Sequence, residues 1–216
     1  MKKIVLIPII LAFAVTAGNT FAQGFGVKGS FNMFNMTIKN SDGDKVQTGM
    51  VPKFDVGLFA EFPVADEFFI CPELLFATKG AKLNDAPVKT TYNLSYLEIP
   101  VLFYYKGVLS DNRVLLGFGP YLALGVGGIY KQGSNEYDIK FKNDISTTSS
   151  GVAYFKPLDI GAMLEAGYEL SGGFSVALNT SMGLTNIYPK INGEKTGMKC
   201  TNVGFGITLG YKFTKK

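Results

Sequence analysis

Apolar residues alternate with small or polar ones along most of this chain, and the period is two. The last segment shows it best. Val203, Phe205, Ile207, Leu209, Tyr211 and Phe213 alternate with Asn202, Gly204, Gly206, Thr208, Gly210 and Lys212. Side chains of a strand point to opposite faces in turn, so this spacing predicts a strand with one apolar face. The same spacing recurs at 24–36, 54–62, 68–79, 90–105, 114–126, 158–170 and 174–184, which makes eight strands in all. In the fourth, the alternation changes parity near Tyr96 and Leu97, which predicts a β-bulge there or a strand rising beyond a membrane.

The connections alternate in length. Those at 65–67, 107–112 and 171–173 are short, whereas those at 37–49, 80–89, 127–155 and 185–199 are long. Short turns at one rim and long loops at the other are what an outer-membrane barrel has. An even strand count also returns both ends of the chain to the periplasmic side.

The composition of the non-apolar face decides which side meets solvent. A soluble barrel would carry many Lys, Glu and Asp there, but Gly, Ser, Ala, Thr and Asn dominate. Small residues suit the narrow lumen of eight strands, and the apolar face is then left for lipid. The expected fold is an all-β, eight-stranded antiparallel transmembrane up-and-down β-barrel. Phe25, Tyr105, Tyr168 and Phe213, near strand ends, are the expected interface aromatics.

The first residues add the route. Lys2 and Lys3 precede an apolar run at 4–15, and Thr20-Phe21-Ala22 closes the segment, as in a signal peptide cleaved after Ala22. The expected organisation is a signal peptide at 1–22 and an outer-membrane barrel domain at 23–216. Without Lys2 and Lys3 the 21 basic residues fall to 19, against 17 acidic ones. The mature protein is nearly neutral, and nucleic-acid binding has no electrostatic support. Cys71 and Cys200 fall at opposite ends of non-neighbouring strands, so two unpaired, lightly buried thiols are expected.

Several segments carry a family resemblance: Gly26-Val27-Lys28-Gly29-Ser30-Phe31-Asn32, Pro72-Glu73-Leu74-Leu75-Phe76 with Lys79-Gly80, and Tyr96-Leu97-Glu98-Ile99-Pro100-Val101. Gly117-Phe118-Gly119-Pro120-Tyr121 and Asp159-Ile160-Gly161 belong with them. The chain resembles the small outer-membrane β-barrel proteins common in Bacteroidetes, called PorT-like or porin-family. The resemblance implies location and fold and names no substrate. The chain departs from the pattern at its end, where Thr214-Lys215-Lys216 follows the terminal aromatic Phe213.

Chemistry-bearing motifs are sparse. The sequence has no histidine, which removes His-based triads and His metal sites. Gly24-Phe25-Gly26-Val27-Lys28-Gly29 matches a dinucleotide fingerprint only as a string, because no strand precedes it and no helix follows. Asp42-Gly43-Asp44 lacks the other ligands of a calcium loop and reads as a turn. No cofactor or metal is expected.

The best remaining constellation is inside the barrel. Parity places Lys28, Asp55, Glu61, Glu73, Lys79, Glu98, Asp159, Glu165, Glu169 and Lys212 on inward faces. Lys28 with Glu73, Glu98 and Glu165 is its expected centre. Two readings follow: a structural ion-pair network that fills the lumen, favoured by the size of an eight-stranded interior, or a narrow cation-favouring water path. The expected protein is therefore a monomeric, non-enzymatic barrel with a structural or surface-interaction role. Its external loops, above all the third with Tyr137, Ile139 and Phe141 alternating, would meet an extracellular partner. A small-solute channel is the alternative, and a soluble periplasmic ligand-binding barrel is the more distant one.

Overall fold

Each alternating segment forms a strand, because burying only one face suits a sheet that wraps round a lumen. The computed structural model describes residues 24–84, 87–146 and 151–213. The expected signal peptide at 1–22 and the tail at 214–216 lie outside these residues. The strands are β1 (Gly24–Lys39), β2 (Val51–Ala65), β3 (Phe68–Leu83), β4 (Thr90–Leu109), β5 (Asn112–Gln132), β6 (Leu158–Glu169), β7 (Phe174–Gly183) and β8 (Lys199–Phe213). Each pairs antiparallel with the next. β8 then closes on β1, from Phe25↔Phe213 to Lys39↔Lys199. Spatial order equals chain order, so the fold is an eight-stranded up-and-down barrel without a free edge.

The outward face is an apolar belt. Phe31 is 61% exposed, Leu178 66% and Leu58 58%, and Phe118, Ile207 and Leu209 are also exposed. Such a surface is unstable in water and at home in hydrocarbon. Aromatics gather at the short-turn rim, where Phe68 lies 5.3 Å from Tyr105 and Tyr211 lies 5.4 Å from Phe213, between ring centroids. Phe25 and Phe213 are exposed there, and Tyr168 is half-buried.

β4 and β5, at 20 and 21 residues, are much longer than the roughly 9–11 needed to cross a bilayer. They continue above the membrane. The bulge expected near Tyr96 is present at that position, but the extra residue belongs to the partner strand. Ser95 pairs with Gly127 and Tyr96 with Gly125, so the extra residue is Val126 of β5. β4 keeps its even-numbered residues inward throughout, with Leu94, Tyr96 and Glu98 all buried. The apparent parity change arises because Leu94 and Tyr96 are apolar residues facing inward.

They face inward onto an apolar cap that fills the outer part of the lumen. Met36, Leu94, Tyr96, Ile139, Phe155 and Ile187 are buried in one cluster there, with Phe141 packed against it. The third external loop supplies Ile139 and Phe155. Its segment Asn135–Phe141 turns back antiparallel on β5, and Val152–Phe155 runs parallel beside it. The loop hairpin expected from the alternation is present, and it folds over the mouth. Cys71 and Cys200 are unpaired, but the expectation of light burial is wrong: each is 1% exposed. Both point into the lumen, where a thiol packs as a small apolar group.

Candidate functional site

Inward positions that small residues leave open are filled by long charged side chains and tyrosines. Gly117 shows the fit, since a methyl group there would stand 2.5 Å from the Tyr104 ring. The charged groups form three layers across the lumen, and β6 gives each a carboxylate.

Nearest the short turns, Lys106 of β4 and Lys212 of β8 both contact Glu61 of β2 and Glu169 of β6. Lys106 Nζ donates to Glu169 Oε2 at 2.7 Å, and Lys212 Nζ donates to Glu61 Oε2 at 3.1 Å. Two cations face two carboxylates, so this layer is balanced.

In the middle layer Lys28 of β1 reaches across to two strands. Its Nζ donates to Glu73 Oε1 at 2.8 Å and Oε2 at 3.0 Å, and to Glu165 Oε1 at 2.8 Å. The Tyr104 hydroxyl donates to the other Glu165 oxygen. Ser30 and Thr208 hydroxyls lie 2.9 Å apart alongside, and Asn179 Nδ2 donates to Thr208 at 3.0 Å.

The upper layer holds Lys79 of β3, with its Nζ 2.6 Å from Glu98 Oε2 and 3.2 Å from Asp159 Oδ2. Lys79 also lies 4.0 Å from the Tyr121 ring centroid. Asp159 Oδ2 accepts from Tyr121 at 3.2 Å and from Asn202 at 2.9 Å, and Asp55 Oδ2 accepts from Asn32 at 2.6 Å. Lys79 thus pairs with two carboxylates, of Glu98 and Asp159, in a layer that also holds Asp55.

Lys28, Glu73 and Glu165 come together, but Glu98 does not join them. It stands across from Leu75, two residues along from Glu73 and one layer nearer the outer mouth. Two buried lysines escaped the sequence reading. Lys106 and Lys53, whose Nζ donates to Asn93 Oδ1, lie just beyond the ends assigned to their strands. Continuing the alternation by one residue would have found both. Between the lower and middle layers a cavity of about 30 Å³ is lined by Lys28, Glu61, Glu73, Tyr104, Lys106 and Glu165 among others. That volume suits one or two waters.

Outside the lumen, Asp42-Gly43-Asp44 forms a tight turn in which the Asp44 N–H donates to Asn40 Oδ1 at 2.8 Å. Gly24-Phe25-Gly26-Val27-Lys28-Gly29 is continuous strand, with no helix to receive a phosphate.

A family model described as outer membrane protein beta-barrel domain matches residues 21–188. No curated protein matches the chain. Among solved structures, Neisserial surface protein A is 14% identical, with 89% of this chain and 99% of that one covered and a TM-score of 0.43. OprG from Pseudomonas aeruginosa is 14% identical, with 90% and 98% covered and a TM-score of 0.45. Ail of Yersinia pestis, in complex with the heparin analogue sucrose octasulfate, is 10% identical, with 88% and 99% covered and a TM-score of 0.40.

Proposed function

The chain belongs to the outer membrane protein β-barrel domain family and resides in the outer membrane; from that premise we propose a non-enzymatic surface protein whose lumen is a structural plug and whose loops are its working surface. The carrying observation is the coordination of the lumen lysines. Lys28, Lys79, Lys106 and Lys212 each contact two carboxylates on different strands, and the lower and middle layers leave a cavity of about 30 Å³ between them. An ion path needs groups that can exchange partners with the ion, whereas these are held by one another. The apolar cap over the upper layer adds a second obstruction, because dewetted constrictions stop ions without any charge.

The functional surface is then the outer rim, where β4 and β5 rise beyond the membrane and the third-loop segments Asn135–Phe141 and Val152–Phe155 are held by strand pairing. A partner would meet a preformed surface there and bind with little ordering cost. The barrel acts as a monomer, since its ring is closed and its belt is suited to lipid. Within the family, the Tyr96-Leu97-Glu98-Ile99-Pro100-Val101 segment supports a PorT-like assignment.

A channel is the second reading, and one observation favours it. Seven buried carboxylates, Asp55, Glu61, Glu73, Glu98, Asp159, Glu165 and Glu169, line the lumen. They outnumber its paired lysines. Planar-bilayer conductance of the refolded protein separates the readings: a plug gives no steady steps, and a channel gives cation-selective ones.

A further inference from the structure

Where β6 begins and β7 ends at the outer rim, residues of the 184–198 loop and of the segment before β6 line an open cleft of about 530 Å³. Pockets of roughly 300–1,000 Å³ hold drug-sized ligands. Four lysines line this one, Lys156, Lys190, Lys195 and Lys199, and no Asp or Glu is among its lining residues. Among the described residues none of the four forms an ion pair. Two acids lie close by in the chain or the pairing but outside the lining: Asp144, whose Oδ1 accepts from the Gly193 N–H at 3.1 Å, and the exposed Glu194, whose backbone closes a turn on Ile191.

The cavity is positioned by its own framework. Lys156 Nζ donates to the Asn186 carbonyl at 3.0 Å, which ties the two walls together. Asn186 Oδ1 accepts from the N–H groups of Tyr188 and Cys200, at 3.0 and 2.9 Å, and its Nδ2 donates to the Met198 carbonyl at 2.9 Å. Partial burial, then the charges of Lys190 and Lys195, hold the Lys156 ammonium below the ordinary lysine range. Four like charges with no carboxylate in the lining repel, and a polyanion relieves them.

The lower edge of the cavity indicates where that anion comes from. Leu158 lines it and is 40% exposed on the lipid face. Leu158 pairs with Leu124 and Ile160 with Leu122, so an apolar track runs down the barrel from the cavity mouth. Charge above and hydrocarbon-facing leucines below match an amphiphile standing in the outer leaflet.

We propose that this cavity binds the phosphorylated saccharide headgroup of an outer-leaflet glycolipid, the four lysines taking its phosphates while one acyl chain lies along Leu158, Leu124 and Leu122. The site depends on the loops facing the outer leaflet and not on a closed lumen, so a barrel that conducted would leave it intact.

The test uses the full barrel in phosphatidylcholine nanodiscs containing either an acylated glucosamine disaccharide with two phosphates or the same lipid without them. Native mass spectrometry reads the lipid retained per barrel. The expected result is an about tenfold preference for the phosphorylated form. That preference is lost in the Lys156→Gln/Lys190→Gln/Lys195→Gln/Lys199→Gln variant and kept in Lys45→Gln/Lys82→Gln/Lys131→Gln/Lys140→Gln, which removes equal charge from other exposed positions. Both variants are first shown to be folded by a heat-dependent gel shift. Equal preference in the two variants, whether kept or lost, overturns the site. Complete displacement of the lipid by equimolar glucosamine 1-phosphate overturns the acyl-chain contact and leaves a soluble sugar phosphate as the ligand.

Discussion

Lys28 of β1 and Glu165 of β6 lie 137 residues apart in the chain, yet Nζ and Oε1 are 2.8 Å apart across the lumen. Glu73 completes the bond from a third strand. One ammonium therefore ties three staves of the barrel together. Lys28→Met should strand two buried carboxylates and cost about 3–5 kcal/mol. Adding Glu73→Gln and Glu165→Gln to it should recover much of that loss, because no uncompensated charge then remains. Urea unfolding in lipid vesicles measures both. Equal destabilisation in the single and triple variants would contradict the account of this layer.

Tyr104 reaches Glu165 only because Gly117 leaves its ring room. Gly117→Leu should displace that ring and cost about 1–3 kcal/mol through overpacking. The check is the same unfolding measurement, with Phe118→Leu on the neighbouring lipid-facing position as the control expected to change little. A Gly117→Leu barrel as stable as the parent would mean that the lumen wall yields more than its packing implies.

Phe155 belongs to the apolar cap that covers Cys200. In Phe155→Ala the cap opens, and the rate of Cys200 labelling by a water-soluble maleimide should rise by roughly tenfold or more, since local opening governs access to a buried thiol. Cys71, in the lower lumen, serves as the internal reference and should label as slowly as before. Unchanged Cys200 labelling would show that the third loop does not seal the mouth.

The strands, their order and the lipid-facing side were legible in the sequence, because period-two alternation and loop lengths are local signals. The layers of the lumen were less so. Alternation states that Glu98 points inward, but which lysine it meets depends on the stagger between β3 and β4, where Leu75 stands opposite it. Leu94 and Tyr96 misled for a different reason. Outer-lumen residues are apolar here because loop residues Ile139 and Phe155 cover them, and a strand's own sequence carries no mark of a distant loop. Lys106 was hidden by a strand end placed one residue early. The lysine cavity was out of reach, since Lys156 and Lys199 come together only when β6, β7 and β8 pair side by side.

The central claim is that layered ion pairs close this lumen, and single-channel recording in planar bilayers tests it most directly. The refolded barrel should give no steady conductance at neutral pH, and Lys79→Met, which leaves Glu98 and Asp159 without their cation, should destabilise the barrel more than it raises current. Steady cation-selective steps in the parent protein that disappear in Glu98→Gln would contradict the claim and make the carboxylate-lined lumen a path.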